Sequence, residues 1–327
     1  MRVGLCFDGF YSIQEMIELA QLADDIGMDS IWMSDHLCFR DSLTTSMALL
    51  GTTKKIKVAA APMSPYSRNP IITAMSIATM AEFAPGRVVA SPGTGNATAL
   101  KEAGIDSPHP LQTMREYVDV LRRYLKGDTV NFQGEMIQVN GAKMGFAPAE
   151  RIAMYITAVR ARMLQLGGEI GDGVLLSGGC SPGYIAQCVG QIAKGAAKAE
   201  KPRENVDVAG LVAAAVSDNA KEAIEANKMF LAYIFRNVHH AENIRLGGGT
   251  VDQQGLAAAV SKRDWEGAKK FISDEVVFAH SVAGTPADCA KQLEAFTQGG
   301  LDLPIVLPTG TQEARKKVVR MLREIVG

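Results

Sequence analysis

Short, continuous apolar segments recur at intervals along the whole chain. Their hydrophobic residues do not alternate with polar ones, a pattern typical of strands that are buried on both faces, as in a parallel sheet. Eight such segments stand out, at residues 2–7, 30–34, 56–62, 87–91, 153–157, 173–177, 206–216 and 303–308. They predict eight buried strands.

The segments between these strands carry apolar residues at helical spacing, most clearly at 13–27, 69–84, 111–127 and 162–171. Eight strands alternating with helices favour an α/β fold of the (β/α)8 TIM-barrel type, and an open doubly wound sheet is the alternative. We expect residues 1–327 to form one barrel domain.

Two segments interrupt the alternation. Residues 127–148 contain short alternating runs around Gly134 and around Asn140-Gly141, which predict a small hairpin. Residues 236–283 are polar and marked by glycine, then weakly helical. Long insertions of this kind usually lie over the active-site mouth of a barrel, and we expect the same here.

Composition narrows the range of functions. Hydrophobic residues make up 47% of the chain and charged residues 21%, and 34 basic side chains balance 35 acidic ones. This balance does not favour nucleic acid or an anionic membrane as a partner. No apolar run reaches the ~18–20 residues of a membrane span, and no signal-peptide pattern opens the sequence. The five cysteines contain no CxxC pair, so we expect no metal site and a soluble, cytoplasmic protein.

Three polar residues, Ser34, Asp35 and His36, directly follow the second predicted strand. Catalytic groups of barrels come from the carboxyl ends of strands, so these residues are predicted to lie on the active-site face. His36 can exchange a proton near neutral pH, and Asp35 can fix its tautomer or contact a ligand. A hydrogen-bonded loop histidine is an equally good interpretation.

Other strand ends add candidates. The first strand contributes Cys6 and Asp8, and Cys6 is more simply a small core residue. In the third, consecutive alanines let a flat molecule approach the backbone, and Pro62 favours a cis bond after Ala61. The fourth ends in the glycine-rich turn SPGTGN (91–96), whose amides and Asn96 side chain can bind a polar ligand, although ordinary turn chemistry also explains it.

The fifth strand leads directly into a helix near Arg160, within TAVRARML. Amides at a helix N-terminus together with guanidinium groups predict a phosphate site; solvated first-turn arginines are the alternative. The sequence contains no Walker loop, GxSxG, HExxH or GxGxxG motif. It therefore lacks the motifs on which kinases, serine hydrolases, zincins and Rossmann dehydrogenases depend.

Several segments together resemble the bacterial-luciferase-like superfamily. They are IWMSDHL, PYSRNPIITAMSIATMAEFAPGRVVASPGTGN, FQGEMIQVNGAKMGF, MYITAVRARMLQLGGEIGDGVLLSG and AGTPADCAKQLEAFTQGGLDLPIVLP. The chain is most similar to the branch that contains coenzyme F420-dependent methylenetetrahydromethanopterin reductase and F420-dependent glucose-6-phosphate dehydrogenase. The resemblance spans nearly the whole sequence.

This resemblance implies a flavin or deazaflavin bound over the carboxyl-terminal face of the barrel. It places Asp35 and His36 beside the ring and the substrate, and it places the family's cis-peptide bulge at Ala61-Pro62. The cofactor-binding positions that it implies are Cys6, Ala61, Pro62, Met63, Gly93, Thr94, Gly95, Asn96, Thr157, Ala158, Val159 and Arg160.

The chain also departs from its relatives. Asn96 stands where the F420 branch usually has an acidic residue, and Cys6 stands where the methanopterin reductases have a glutamate. An amide does not exchange a proton near neutral pH, and a thiol is a different kind of acid. Arg160 and Ala161 replace a common Gly-Pro pair in the phosphate turn.

We therefore expect an oxidoreductase that uses coenzyme F420 for hydride transfer to or from a small organic substrate. The first alternative is a luciferase-type monooxygenase that uses reduced FMN. The second is a homologue without catalysis that serves as a partner subunit. The relatives imply a homodimer or a homotetramer.

Overall fold

The computed structural model describes residues 1–326, which form a barrel of parallel strands surrounded by helices. The strands are β1 (Gly4–Phe7), β2 (Ser30–Ser34), β3 (Lys57–Met63), β4 (Val88–Pro92), β5 (Val130–Gln133), β6 (Gln138–Ala142), β7 (Ala153–Ala158), β8 (Gly173–Leu176), β9 (Asp207–Val216), β10 (Val282–Gly284) and β11 (Leu303–Pro308).

The helices follow the strands in sequence. They are α1 (Ile13–Asp25), α2 (Ser42–Thr52), α3 (Pro70–Phe83), α4 (Ala97–Glu102), α5 (Pro110–Leu125), α6 (Ala161–Ile170), α7 (Pro182–Lys198), α8 (Ala220–Phe235), α9 (Ala241–Leu246), α10 (Gln253–Ser261), α11 (Trp265–Lys269), α12 (Asp274–His280), α13 (Pro286–Gln298) and α14 (Gln312–Val326). Within residues 1–326, none is long and apolar enough to cross a membrane.

Eight strands close into a ring in the order β1-β2-β3-β4-β7-β8-β9-β11, with β11 returning to β1. Every pairing in the ring is parallel, and Gly4 lies opposite both Ser30 of β2 and Ile305 of β11. The eight strands are those that the apolar segments predicted, and the (β/α)8 barrel is confirmed. The open sheet is excluded because no edge remains between β1 and β11.

Alternate residues of each strand face opposite sides of the barrel wall. In β1, Leu5 and Phe7 pack outward against the helices, whereas Cys6 joins Trp32, Ala59 and others in the barrel interior. Side-chain caps fix where the helices begin; for example, Asn69 accepts a hydrogen bond from the amide of Ile71, and Pro70 follows it. The apolar strands are thus buried on both faces, as the sequence indicated.

The predicted hairpin is present as the antiparallel pair β5–β6. The buried carboxylate of Glu116 in α5 accepts hydrogen bonds from the amides of Glu135, Met136 and Ile137 at 2.8–2.9 Å. A Cβ on Gly134 would come within 2.3 Å of the same carboxylate. The turn is therefore held to the barrel wall by one charged side chain.

The long insertion forms α9 to α12, which pack with α8 in a separate apolar cluster. It reaches the loop after β8, where Asn243 accepts a hydrogen bond from the amide of Ser181 and donates to the carbonyl of Gly179. Buried His280 shares this carbonyl through Nδ1, at 2.9 Å. Because that loop leaves the carboxyl end of a barrel strand, the insertion lies at the predicted side of the barrel.

We expect the free energy of unfolding to fall as the pH is lowered from about 6.5 to about 4. Burial lowers the pKa of His280 from 6.5 to about 4. Between these pH values the unfolded chain binds a proton at His280 and the folded chain does not, so acid favours unfolding. His280→Phe should flatten this pH dependence by up to about 3 kcal/mol in urea titrations. His109→Asn, at an exposed position, is the matched control. Equal slopes in all three proteins would contradict the expectation.

Candidate active site

The carboxyl ends of β3, β4 and β7 meet around Gly93, the residue that follows β4. A Cβ on Gly93 would lie 2.6 Å from Cβ of Pro62 and 2.7 Å from Cβ of Thr157, so no larger residue fits there without displacement. The amide of Gly93 donates to the carbonyl of Met63 at 3.0 Å. Three groups of predicted cofactor residues therefore converge on one small patch at the barrel mouth.

The bond between Ala61 and Pro62 is cis, as the sequence predicted. The pairing of β3 with β4 shifts register between Ala60 and Met63 at this point, which marks a local bulge. The carbonyl of Ala61 accepts a hydrogen bond from the amide of Asp35 at 3.0 Å. The bulge thereby joins the end of β2 to the end of β3.

Asp35 is held by a side chain that the sequence analysis did not assign. Nε and Nη2 of Arg68 each donate to one carboxylate oxygen of Asp35 at 3.0 Å, and Nη2 also contacts Asp41. This bidentate pair uses both oxygens of Asp35, so its carboxylate is directed to Arg68 rather than to the ring of His36. Arg68 lies within PYSRNP, a segment quoted above for its family resemblance only.

His36 lies one residue further along, with part of its ring exposed at the mouth. Its ring approaches Phe39 edge-on, with 6.4 Å between ring centroids, and Phe39 lies against Phe10 at 4.4 Å. The protein packed around the imidazole lowers its pKa below 6.5 by desolvation, although the negative charges of Asp8 and Asp35 oppose this change. The direction of this pKa shift favours the neutral imidazole.

The turn at residues 93–96 serves partly as ordinary turn structure. The side-chain oxygen of Asn96 accepts hydrogen bonds from the amides of Thr98 and Ala99, and so caps α4. The carbonyl of Thr94 accepts a hydrogen bond from Oγ of Ser64, and Gly95 has a φ of +75°. The side-chain oxygen of Asn96 is therefore occupied by this cap. Gly93, in contrast, contacts the bulge of β3.

The predicted phosphate turn lies where β7 passes into α6. Thr157 Oγ1 lies 3.1 Å from Oγ of Ser91, and the carbonyl of Val159 accepts a hydrogen bond from the hydroxyl of Tyr184. Ala158 is buried, whereas Arg160 is exposed at the position that precedes α6 and makes no side-chain cap. Burial lowers the pKa of His239, and the positive charge of Arg160 lowers it further. Because His239 belongs to the insertion, the insertion approaches this turn.

Cys6 lies fully inside the barrel below the mouth. Its Sγ is 3.8 Å from Oγ of Ser34, and burial raises the pKa of the thiol to about 12. The thiol therefore stays protonated and apolar, as the simpler interpretation of Cys6 expected. Asp8 lies two residues after Cys6, directly after β1. The sequence indicates it as a strand-end residue without assigning it to the site.

A cavity of about 380 Å³ opens at the opposite, amino-terminal end of the barrel, against Trp32 and Tyr155. Among the charged residues at this end, Arg2 contacts Asp29 at 3.2 Å and Asp207 at 3.0 Å, and Glu82 and Glu150 also line the cavity. Strand ends at this face of a barrel usually serve stability, and these ion pairs fit that role.

A closed (β/α)8 barrel whose carboxyl-terminal mouth carries acid–base side chains beside a patch of small residues has the architecture of a barrel enzyme. The model of the luciferase-like monooxygenase family matches residues 5–303, and the chain belongs to this family.

Two relatives match over most or all of the chain. A 5,10-methylenetetrahydromethanopterin reductase from Archaeoglobus fulgidus is 31% identical over 333 residues, covering 100% of this chain and 99% of its own. An F420-dependent glucose-6-phosphate dehydrogenase from Rhodococcus erythropolis is 28% identical, covering 92% and 90%. The structure of the F420-dependent tetrahydromethanopterin reductase from Methanopyrus kandleri superposes with a TM-score of 0.91 at 24% identity, covering 99% and 97%.

We expect Gly93→Ala to disturb the mouth, because the added methyl group has no space between Pro62 and Thr157. Overpacking of this kind costs about 1–3 kcal/mol, which chemical denaturation will measure. Gly145→Ala is the matched control, since nothing lies within 4 Å of a Cβ at that exposed position. A Gly93→Ala protein as stable as the control would show that the patch is loosely packed.

Proposed function

We propose that this protein is an oxidoreductase that uses coenzyme F420 to transfer hydride to or from a small organic substrate, similar to methylenetetrahydromethanopterin reductase. The observation that carries the proposal is the convergence of the Ala61–Met63 bulge, Gly93 and Thr157 beside Asp35 and His36. The full-length similarity to two kinds of F420-dependent enzyme supports the choice of cofactor.

The residues present fit a flat tricyclic cofactor with an anionic tail. Ala61, Pro62 and Gly93 offer a floor of small side chains, on which a planar ring can lie close to the backbone. The start of α6 presents helix amides without a side-chain cap, and Arg160 adds a positive charge. Met63 is buried behind this floor, while Thr94, Gly95 and Asn96 frame its edge.

A bound deazaflavin supplies two-electron hydride chemistry, and the protein supplies position, a dry pocket and a proton. Arg68 holds Asp35 in place and neutralises its charge, so the end of β2 is kept in one conformation. His36, next to Asp35, exchanges a proton with the substrate heteroatom. The ring of Phe39 lies edge-on to the imidazole and packs in turn against Phe10.

Two other functions are alternatives that the cofactor-binding experiment below distinguishes. A monooxygenase using reduced FMN needs the same flat floor and phosphate anchor, and the family name favours it. A partner subunit without catalysis is the second alternative, motivated by Cys6 and Asn96 at positions where relatives carry acids. We also infer that residues 1–327 work as one domain in the cytoplasm, where the five free cysteines stay reduced.

We expect purified protein to bind F420 at micromolar concentrations or below, and Arg160→Glu to weaken this binding about 10- to 100-fold. The charge reversal removes a charged hydrogen-bond donor, worth about 1.5–3 kcal/mol, from the anion site. Fluorescence titration with oxidised and reduced F420 and FMN measures both effects.

Arg162→Glu is the matched control for this titration. Arg162 is also exposed in the first turn of α6, but it lies beside Arg115 and Glu169 on the outer flank of the helix. Equal losses in both variants would indicate a general charge effect rather than a site at Arg160. Preference for reduced FMN would identify the monooxygenase, and binding of no cofactor would favour the partner subunit.

We infer that the protein is a homo-oligomer that pairs through α2 and α3. Helix α2 contains no charged residue and α3 contains only Glu82. The outer face of α3 nevertheless exposes Ile72 and Phe83 by 55% each and Met75 by 47%. An apolar surface of this kind on α3, with Glu82 as the one charge of the two helices, fits a second copy of the chain.

We expect Met75→Lys to lower the measured mass in light scattering coupled to size exclusion, towards that of a single chain. A lysine at position 75 would lose its hydration in the interface, and this cost weakens association, although Glu82 lies two turns further along α3. Phe278→Lys, which changes an equally exposed apolar residue on α12, should leave the mass unaltered. A monomeric wild-type protein would refute the interface.

A further inference from the structure

The cavity of about 380 Å³ at the amino-terminal end of the barrel has a floor of two aromatic rings. Nε1 of Trp32 donates to Oγ of Ser30 at 2.9 Å, so the indole leans towards the amino end of β2. The hydroxyl of Tyr155 donates to Asp207, the first residue of β9, and so points to the same end. The two rings meet edge to face, with 5.2 Å between their centroids. Because both polar groups are already bonded, the floor presents apolar ring surface.

The wall around this floor is open between β4 and β7. These strands pair at two positions only, beginning with Val89 and Ala153. Residues 143–152, which lead into β7, form neither helix nor strand, and Pro148 among them has no amide hydrogen for a strand ladder. This segment therefore leaves the barrel wall and lines one side of the cavity, while the end of α3 and the turn at Gly86 line the other.

Each basic side chain around the opening already has a carboxylate partner. These ion pairs are Arg2 with Asp29 and Asp207, Lys57 with Asp29, and Arg151 with Asp172. A negatively charged ligand would have to compete with these carboxylates for the same cations. The opening is therefore poorly suited to an anion.

Two acidic side chains at the opening, Glu82 and Glu150, differ from these pairs. Both are exposed, and neither takes part in an ion pair within residues 1–326. Oε2 of Glu150 lies 3.2 Å from the position that a Cβ on Gly86 would occupy. This carboxylate thus reaches across to the wall that carries Glu82, shortly before Gly86 in the chain. The opening combines uncompensated negative charge with an apolar floor.

We propose that this cavity binds a small organic cation, a protonated amine attached to an apolar or aromatic body. The body packs against the rings of Trp32 and Tyr155, and the ammonium group stays at the opening near Glu82 and Glu150. Aromatic faces also attract cations, and the indole of tryptophan does so most strongly. The volume of about 380 Å³ falls in the range of small-molecule sites. Because the site lies at the opposite end of the barrel from His36, it does not depend on the proposed reaction.

The test uses three probes that share a phenyl ring and a short chain but differ in charge: phenethylamine, phenethyl alcohol and phenylpropionate. Trp265→Phe leaves Trp32 as the sole tryptophan, so its fluorescence reports occupancy of the cavity. The emission should change saturably with the amine, which should bind about three- to tenfold more tightly than the alcohol, with phenylpropionate weakest. Absence of a saturable change with the amine, or equally tight binding of either other probe, would overturn the proposal.

Removing the two free carboxylates tests the role of charge. Glu82→Gln combined with Glu150→Gln should reduce the preference for the amine over the alcohol to about twofold or less, because an amide carries no charge. Glu294→Gln, at an exposed glutamate of α13 that does not line the cavity, is the matched control and should keep the full preference. An undiminished preference in the double variant, or an equal loss in the control, would contradict recognition by these carboxylates.

Ala153→Leu tests the location, because Ala153 lines the cavity at the start of β7. The larger side chain should fill the space and weaken binding of the amine about tenfold or more. Thermal unfolding shows whether this variant is folded, and if it is not, the double glutamate variant decides. A folded Ala153→Leu protein that binds the amine as tightly as before would show that the amine binds elsewhere and would overturn the proposal.

Discussion

The closure of the barrel between β1 and β11 brings the polar groups of the strand ends together at one mouth. Since all eight ring strands are parallel, their carboxyl ends meet at one mouth, although the strands come from residues 4 to 308. Apolar strands buried on both faces leave space for polar side chains only at the strand ends. Closure thus brings together Asp8, His36, Gly93 and Thr157, which are far apart in sequence.

Closure also explains why the mouth depends on small residues. Gly93 follows β4 and lies between the ends of β3 and β7, where a single added methyl group would collide with Pro62 and Thr157. Such contact fixes the backbone more rigidly than a looser arrangement of long side chains. Arg68 adds an electrostatic fixation, since one guanidinium ties the end of β2 to Asp41 at the start of α2.

The sequence predicted the strands well because a buried parallel strand has a direct signature, a short apolar run between turn residues. The cis bond at Ala61-Pro62 was predictable for the same local reason, since proline lowers the cost of that geometry. Side-chain partners were not local. The bond between Arg68 and Asp35 spans 33 positions, so no local pattern in the sequence indicates it. The cap that Asn96 forms on α4 is, in contrast, a local interaction. The family resemblance directed attention to Asn96 as a cofactor-binding residue instead.

The two ends of the barrel differ in how their charges are used. At the amino-terminal end, Arg2 joins Asp29 and Asp207, and the hydroxyl of Tyr155 donates to Asp207 at 2.6 Å. Arg2, Asp29 and Asp207 are thus engaged with one another, which fits the usual stabilising role of this end of a barrel. At the mouth, Asp8 accepts from the amide of Phe10 and holds no cation of its own. Asp8 is half-buried at the strand end, and desolvation raises its pKa, so these carboxyl groups at the two ends differ in how far they are neutralised by cations.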